Sequence, residues 1–120
     1  MLEGFRLVIS IVIQVLLGVG FIMFGYQKFV SPDMKEGFKY FGYGDSFRIF
    51  TGAFEIIGAI FLLVGIWMGN LALIGAIMLV LAMVGAVFTH IKIKDTVKNM
   101  MMPIVLLLLS LIVVVMNVSA

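Results

Sequence analysis

Residues 47–68, FRIFTGAFEIIGAIFLLVGIWM, form an apolar run broken by one arginine, one threonine and one glutamate. About 20 residues in a helix, rising about 1.5 Å each, cross the hydrocarbon of a bilayer. The run is continuous and does not alternate, so it reads as a helix and not as a barrel strand. Glu55 then lies about 10 Å deeper than Arg48. An ionised group at the centre of a span costs about 2.5–3.5 kcal/mol, so Glu55 is expected to face protein and to have a partner. Arg48, Thr51 and Glu55 share one helix face through spacings of three, four and seven, flanked by Gly52 and Ala59.

Outward from this stretch lie three more apolar runs, at residues about 7–29, 71–91 and 103–118. Hydrophobic residues make up 64% of the 120 residues and charged ones only 12%. That is too little polar surface to cover a soluble domain, where about 25% is charged. The expected fold is an all-α membrane protein, a bundle of four transmembrane helices, and the length allows one compact unit. The first run lacks a clear basic start and a small-residue cleavage site, so it is expected to be a retained helix rather than a signal peptide. Pro103 suits the first turn of the last helix, where a missing N–H leaves nothing unpaired.

Packing seams run along the helices. Gln14, Gly18, Phe21, Gly25 and Lys28 follow one face of the first, and Ala72, Gly75, Leu79, Ala82, Ala86 and Thr89 follow one face of the third. Small residues such as Gly18, Gly25, Gly52, Gly58, Ala82 and Ala86 allow close helix approach in lipid. Gln14 and Asn117 are expected to hydrogen-bond between helices. Trp67 and the tyrosines Tyr26, Tyr40 and Tyr43 sit near span ends, as an aromatic belt would.

The connections differ in length. Gly69-Asn70 reads as a tight turn, and the polar link of residues 92–99 is basic. The longer link, residues 31–46, contains Ser31-Pro32-Asp33, a helix start made of a cap, a proline and an acid at the positive end of the dipole. Met34, Phe38 and Phe41 then share a face, which predicts a short interfacial helix over residues 32–41. Gly42-Tyr43-Gly44 ends it, and Asp45 or Ser46 can cap the next span. Of the eight lysines and arginines, only Arg6 falls on the side of the termini. The positive-inside rule therefore predicts both links in the cytoplasm, where they meet anionic lipid, and both termini outside.

Lys28, Arg48, Thr51, Glu55 and His90 all fall in the half of the membrane next to the links, and a polar pocket there is the candidate site. The alternative reading is an ion pair between Glu55 and Arg48 or Lys28 that fixes helix register. Imidazole suits proton exchange near neutral pH, so His90 reads either as a proton carrier or as an interface anchor. With no cysteine and one histidine, disulfides, thiol chemistry, thiolate-held metals and a multi-histidine metal site within one subunit are excluded. The ten methionines are scattered, as soft packing would be, and no metal is expected. Nothing in the basic links asks for nucleic acid.

These residues resemble the DoxX-like family of small membrane proteins. Residues 18–28 (GVGFIMFGYQK) look like its glycine-spaced first helix ending in lysine. Residues 41–65 (FGYGDSFRIFTGAFEIIGAIFLLVG) are similar to its Gly-x-x-Glu-x-x-Gly second helix, and residues 83–90 (MVGAVFTH) to its run ending in threonine-histidine. The resemblance implies a four-helix bundle in the cytoplasmic membrane, with Lys28, Gly52, Glu55, Gly58 and His90 as family positions. Some relatives are associated with quinone-linked sulfur oxidation or oxidative stress, and distant ones look like assembly chaperones.

Three functions stay open. An accessory subunit of quinone-linked or oxidative-stress redox chemistry would place a quinone between helices, with Glu55 and His90 exchanging protons. No flavin, haem or iron–sulfur motif is present, so electrons would come from a redox partner protein, and a subunit is expected rather than a complete enzyme. A non-catalytic assembly factor would use the packing seams and basic links, alone or as a homo-oligomer. A small multidrug-type transporter fits less well, since that class looks to a carboxylate in the first helix, where Gln14 stands.

Overall fold

The computed structural model describes residues 2–118 and is all-helical. Four long helices, α1 (Leu2–Val30), α3 (Asp45–Val64), α4 (Gly69–Lys92) and α5 (Val97–Val118), are each long and apolar enough to cross a membrane. The short helix α2 (Pro32–Tyr40) follows the first span and touches both α1 and α3. Around the bundle α1 packs on α3, α3 on α4, α4 on α5, and α5 more lightly on α1. Each long helix contributes to one core, formed by Leu17, Phe21, Ala59, Leu62, Ala76, Leu79, Met83 and Val113. Exposed leucines, valines and isoleucines cover the outside, as a hydrocarbon solvent permits.

The helices meet through glycine. A Cβ on Gly25 would lie 2.7 Å from the Gly52 carbonyl oxygen, and one on Gly52 would lie 2.9 Å from that of Gly25. A Cβ on Gly75 would lie 2.5 Å from the carbonyl oxygen of Gly58. Gly18 instead receives the Leu63 side chain, whose Cδ2 would lie 2.5 Å from an added Cβ. Gln14 donates from Nε2 to the Leu62 carbonyl at 3.1 Å, the interhelical bond its position predicted. Asn117 instead donates to Val113 of its own helix, because the i−4 carbonyl lies within its reach.

Several helix ends differ from the sequence reading. The second long helix stops at Val64, and the reversal runs through Gly65, not Gly69-Asn70, which open α4. A Cβ on Gly65 would collide with the backbone of Ala72, so only glycine lets the chain turn this tightly. Gly44, without a side-chain bond, precedes α3, so neither Asp45 nor Ser46 caps it. The last helix begins at Val97, because the Thr96 hydroxyl accepts from Asn99 N at 3.3 Å and caps it upstream. Pro103 is therefore inside α5, where it deprives the Asn99 carbonyl of its helical donor. The second link shortens accordingly to residues 93–96.

Two chain reversals use the same device. Tyr43 N–H donates to Phe38 O at 2.8 Å and Gly42 N–H to Lys39 O at 2.9 Å, with Gly42 at φ +88°. Asp95 N–H donates to His90 O at 2.9 Å and Lys94 N–H to Ile91 O at 2.9 Å, with Lys94 at φ 57°. Both are Schellman ends, which fold the next residue back over the helix just completed. The first brings Tyr43 into the bundle, and the second returns Asp95 to His90.

Candidate functional site

The α3 stripe that faces α4 changes character along its length. Gly58 and Gly65 carry the close contacts near the hairpin, whereas Phe54, Thr51 and Phe47 occupy the same face towards the links. Small residues draw the two helices together at one end, and bulky ones leave space between them at the other. The result is a cavity of about 520 Å³ at the link end, lined mostly by aromatic and aliphatic side chains from all five helices. Phe21 and Phe24 of α1, Phe38 of α2 and Leu106 of α5 close its sides. Phe50, Leu81 and Phe88 line it too and are largely exposed on the outer surface of α3 and α4.

Polar groups enter this apolar space at two places. On the α1–α3 side, Lys28 Nζ stands 2.7 Å from Oε1 of Glu55, and both residues line the cavity. On the α4 side are Thr89 and His90, together with Tyr43 from the α2–α3 link. The Tyr43 hydroxyl and Thr89 Oγ1 are 2.8 Å apart. Phe41 meets the His90 ring edge-on, with centroids 5.3 Å apart and planes at 76°. His90 Nδ1 lies 2.8 Å from Oδ2 of Asp95.

Asp95 is itself held. Its Oδ1 accepts from Thr96 N at 2.8 Å and from Asn99 Nδ2 at 2.7 Å. The hydrogen bonds from His90, from Asn99 and from the Thr96 backbone hold its carboxyl below the usual carboxylate range.

Arg48 does not join the cavity. Pro32 has no N–H, so the carbonyl of Lys28, four residues earlier, loses its helical donor. Arg48 Nη1 donates to that carbonyl, and Nη2 lies 3.3 Å from Asp45. The guanidinium is buried and serves the end of α1, so the partner of Glu55 is Lys28 rather than Arg48. Thr51 lines the cavity while its hydroxyl donates back to the Phe47 carbonyl at 2.8 Å. Ala82 and Ala86 line the cavity and pack on the core, and Gly18, Gly25, Gly52 and Gly58 lie at helix contacts.

Two site residues escaped the sequence reading. Tyr43 reads as a belt residue from its place near a span end, but the Schellman turn at Gly42 folds it inward. Asp95 lies in the polar second link, and its spacing of five from His90 matches no helical contact; only the turn at Lys94 joins them. Among the described residues no three His, Cys, Asp or Glu side chains gather as a metal ion would require.

The fold and its membrane-length helices define a four-helix integral membrane protein. The model of the DoxX-like family matches residues 12–113, and the chain belongs to that family. No curated protein and no solved structure matches it.

Proposed function

We propose that the cavity binds a quinone or quinol taken from the bilayer, and that the protein serves as an accessory subunit in quinone-linked or oxidative-stress redox chemistry. The observation that carries this reading is an apolar, aromatic-walled space of about 520 Å³ with a Lys28–Glu55 pair on one side and His90, Tyr43 and Thr89 on another. Ligand sites of this kind combine apolar walls with a few placed polar groups. A quinone ring needs donors and acceptors at its oxygens and an apolar slot for its tail. The exposed flanks of Phe50, Leu81 and Phe88 offer that tail a way in from lipid. Electrons would pass to or from a partner protein.

The same reading sets the chain in the cytoplasmic membrane. The links face the cytoplasm, because Lys35, Lys39, Lys92, Lys94 and Lys98 surround them and suit anionic headgroups. The termini lie outside.

The test is native mass spectrometry with lipid extraction on protein purified gently from its own membrane, beside Glu55→Gln and, as a link control, Lys94→Gln. A quinone that accompanies the wild type and Lys94→Gln but not Glu55→Gln supports the reading. Equal amounts in all three, or none in the wild type, would defeat it. A stoichiometric protein without a small molecule would favour an assembly role instead.

A further inference from the structure

His90 is the one histidine of the chain, and its environment decides what its ring can offer. Its Nδ1 meets a carboxylate oxygen at 2.8 Å. That carboxylate already accepts from a backbone N–H and a side-chain amide, so it is an acceptor and Nδ1 must carry the proton. The other ring nitrogen, Nε2, then holds a lone pair and makes no hydrogen bond among the described residues. A second observation supports the arrangement: the turn that presents Asp95 puts a lysine at φ 57°, a conformation that glycine adopts far more readily. Left-handed backbone at a side-chain-bearing residue persists where surrounding contacts require it.

We propose that Asp95 is a positioning residue, holding His90 as the Nδ1–H tautomer so that Nε2 acts in the cavity as a hydrogen-bond acceptor and selects ligands that carry a hydroxyl. This rests on the reading of the cavity as a quinone or quinol site, and it favours the quinol. The acceptor role belongs to the neutral ring, with Asp95 as the charged group in direct contact with it. Phe41 packs edge-on, Thr89 Oγ1 is engaged with Tyr43 and donates to the Gly85 carbonyl, and Lys92 lies over the Tyr43 ring at 6.0 Å.

The experiment is nitrogen-15 NMR of histidine-labelled protein in nanodiscs at mildly alkaline pH, where imidazole is neutral. With one histidine, one pair of ring signals reports the tautomer. The wild type is expected to show Nδ1 protonated and Nε2 bare. In Asp95→Asn the new amide can donate to Nδ1, and the Nε2–H tautomer should become the majority. Thr96→Ala weakens the same helix cap without touching His90, and it should leave the tautomer unchanged. A wild type with mostly Nε2–H, or the same shift in Thr96→Ala as in Asp95→Asn, would overturn the assignment.

A binding arm uses duroquinol and its dimethyl ether, kept anaerobic. The wild type should prefer the quinol roughly tenfold, as one net hydrogen bond supplies, and Asp95→Asn should lose that preference. Equal binding of the two probes by the wild type overturns the selection. Binding of neither, with the tautomer as expected, counts against the cavity as a quinol site and leaves the Asp95–His90 arrangement supported.

Discussion

Lys28 Nζ lies 2.7 Å from Glu55 Oε1 across the α1–α3 contact, with the lysine side chain 13% exposed and the glutamate 1%. The glycines Gly25 and Gly52 bring the two helices together beside the pair. Removing one member of such a pair strands the other. Lys28→Met and Glu55→Gln should each cost about 3 kcal/mol of stability, and the double variant clearly less than their sum. Unfolding of the reconstituted variants in a double-mutant cycle measures this. Simple additivity would show that the two groups act independently.

Glycine positions on α4 should separate packing from free space. Gly75→Ala places a methyl 2.5 Å from the Gly58 carbonyl, and the backbone there has little room to move. It should destabilise by about 1–3 kcal/mol. Gly85 has nothing within 4 Å of an added Cβ, so Gly85→Ala should be neutral or stabilising by up to about 1 kcal/mol. Thermal unfolding of the two variants side by side is the measurement.

The same open position allows the cavity to be filled without disturbing the core. Gly85→Leu puts a branched side chain at the cavity wall, between Leu81 and Phe88. Stability should stay near that of the wild type, while any extracted small molecule should fall several-fold. A filled cavity that keeps its ligand would place the ligand elsewhere.

Lys94 occupies the left-handed position of the α4 end at φ 57°. Replacing it by glycine removes a steric cost of about 1–2 kcal/mol, and part of that gain is offset by the greater freedom of glycine in the unfolded chain. Lys94→Gly should raise stability by up to about 1 kcal/mol. The His90 ring signals should not move, because the turn is kept.

Asp95 makes the pH dependence of the link predictable. Its carboxyl is held below the usual range in the folded protein, first by His90, so the unfolded chain binds that proton more readily. The stabilising contribution is therefore complete above the ordinary carboxylate value of about 3.9, and it is lost as pH falls through the lowered folded value. Acidification from neutral to about pH 5 should leave the link closed. The Thr96 amide shift, followed against pH in nanodiscs, should titrate with a midpoint under about 3.9.

Membrane character, four spans and their antiparallel order were legible in the sequence alone, because lipid imposes long apolar helices whatever their packing. The cost of burying Glu55 marked it as a residue with a partner, and glycine spacing marked the helix contacts. Tertiary structure alone chose Lys28 over Arg48 as that partner, since Pro32 strips the Lys28 carbonyl of its donor and Arg48 is drawn to it. It also decided where the helices end, through Gly65 and the Thr96 cap, and so moved Pro103 inside α5. Tyr43 reached the cavity, and Asp95 the His90 ring, only through turns at Gly42 and Lys94, and the direction of a chain reversal depends on backbone angles that residue spacing does not record. The cavity itself follows from packing: Gly58 and Gly65 close one half of the α3–α4 contact, and Phe47 and Phe54 hold the other half apart.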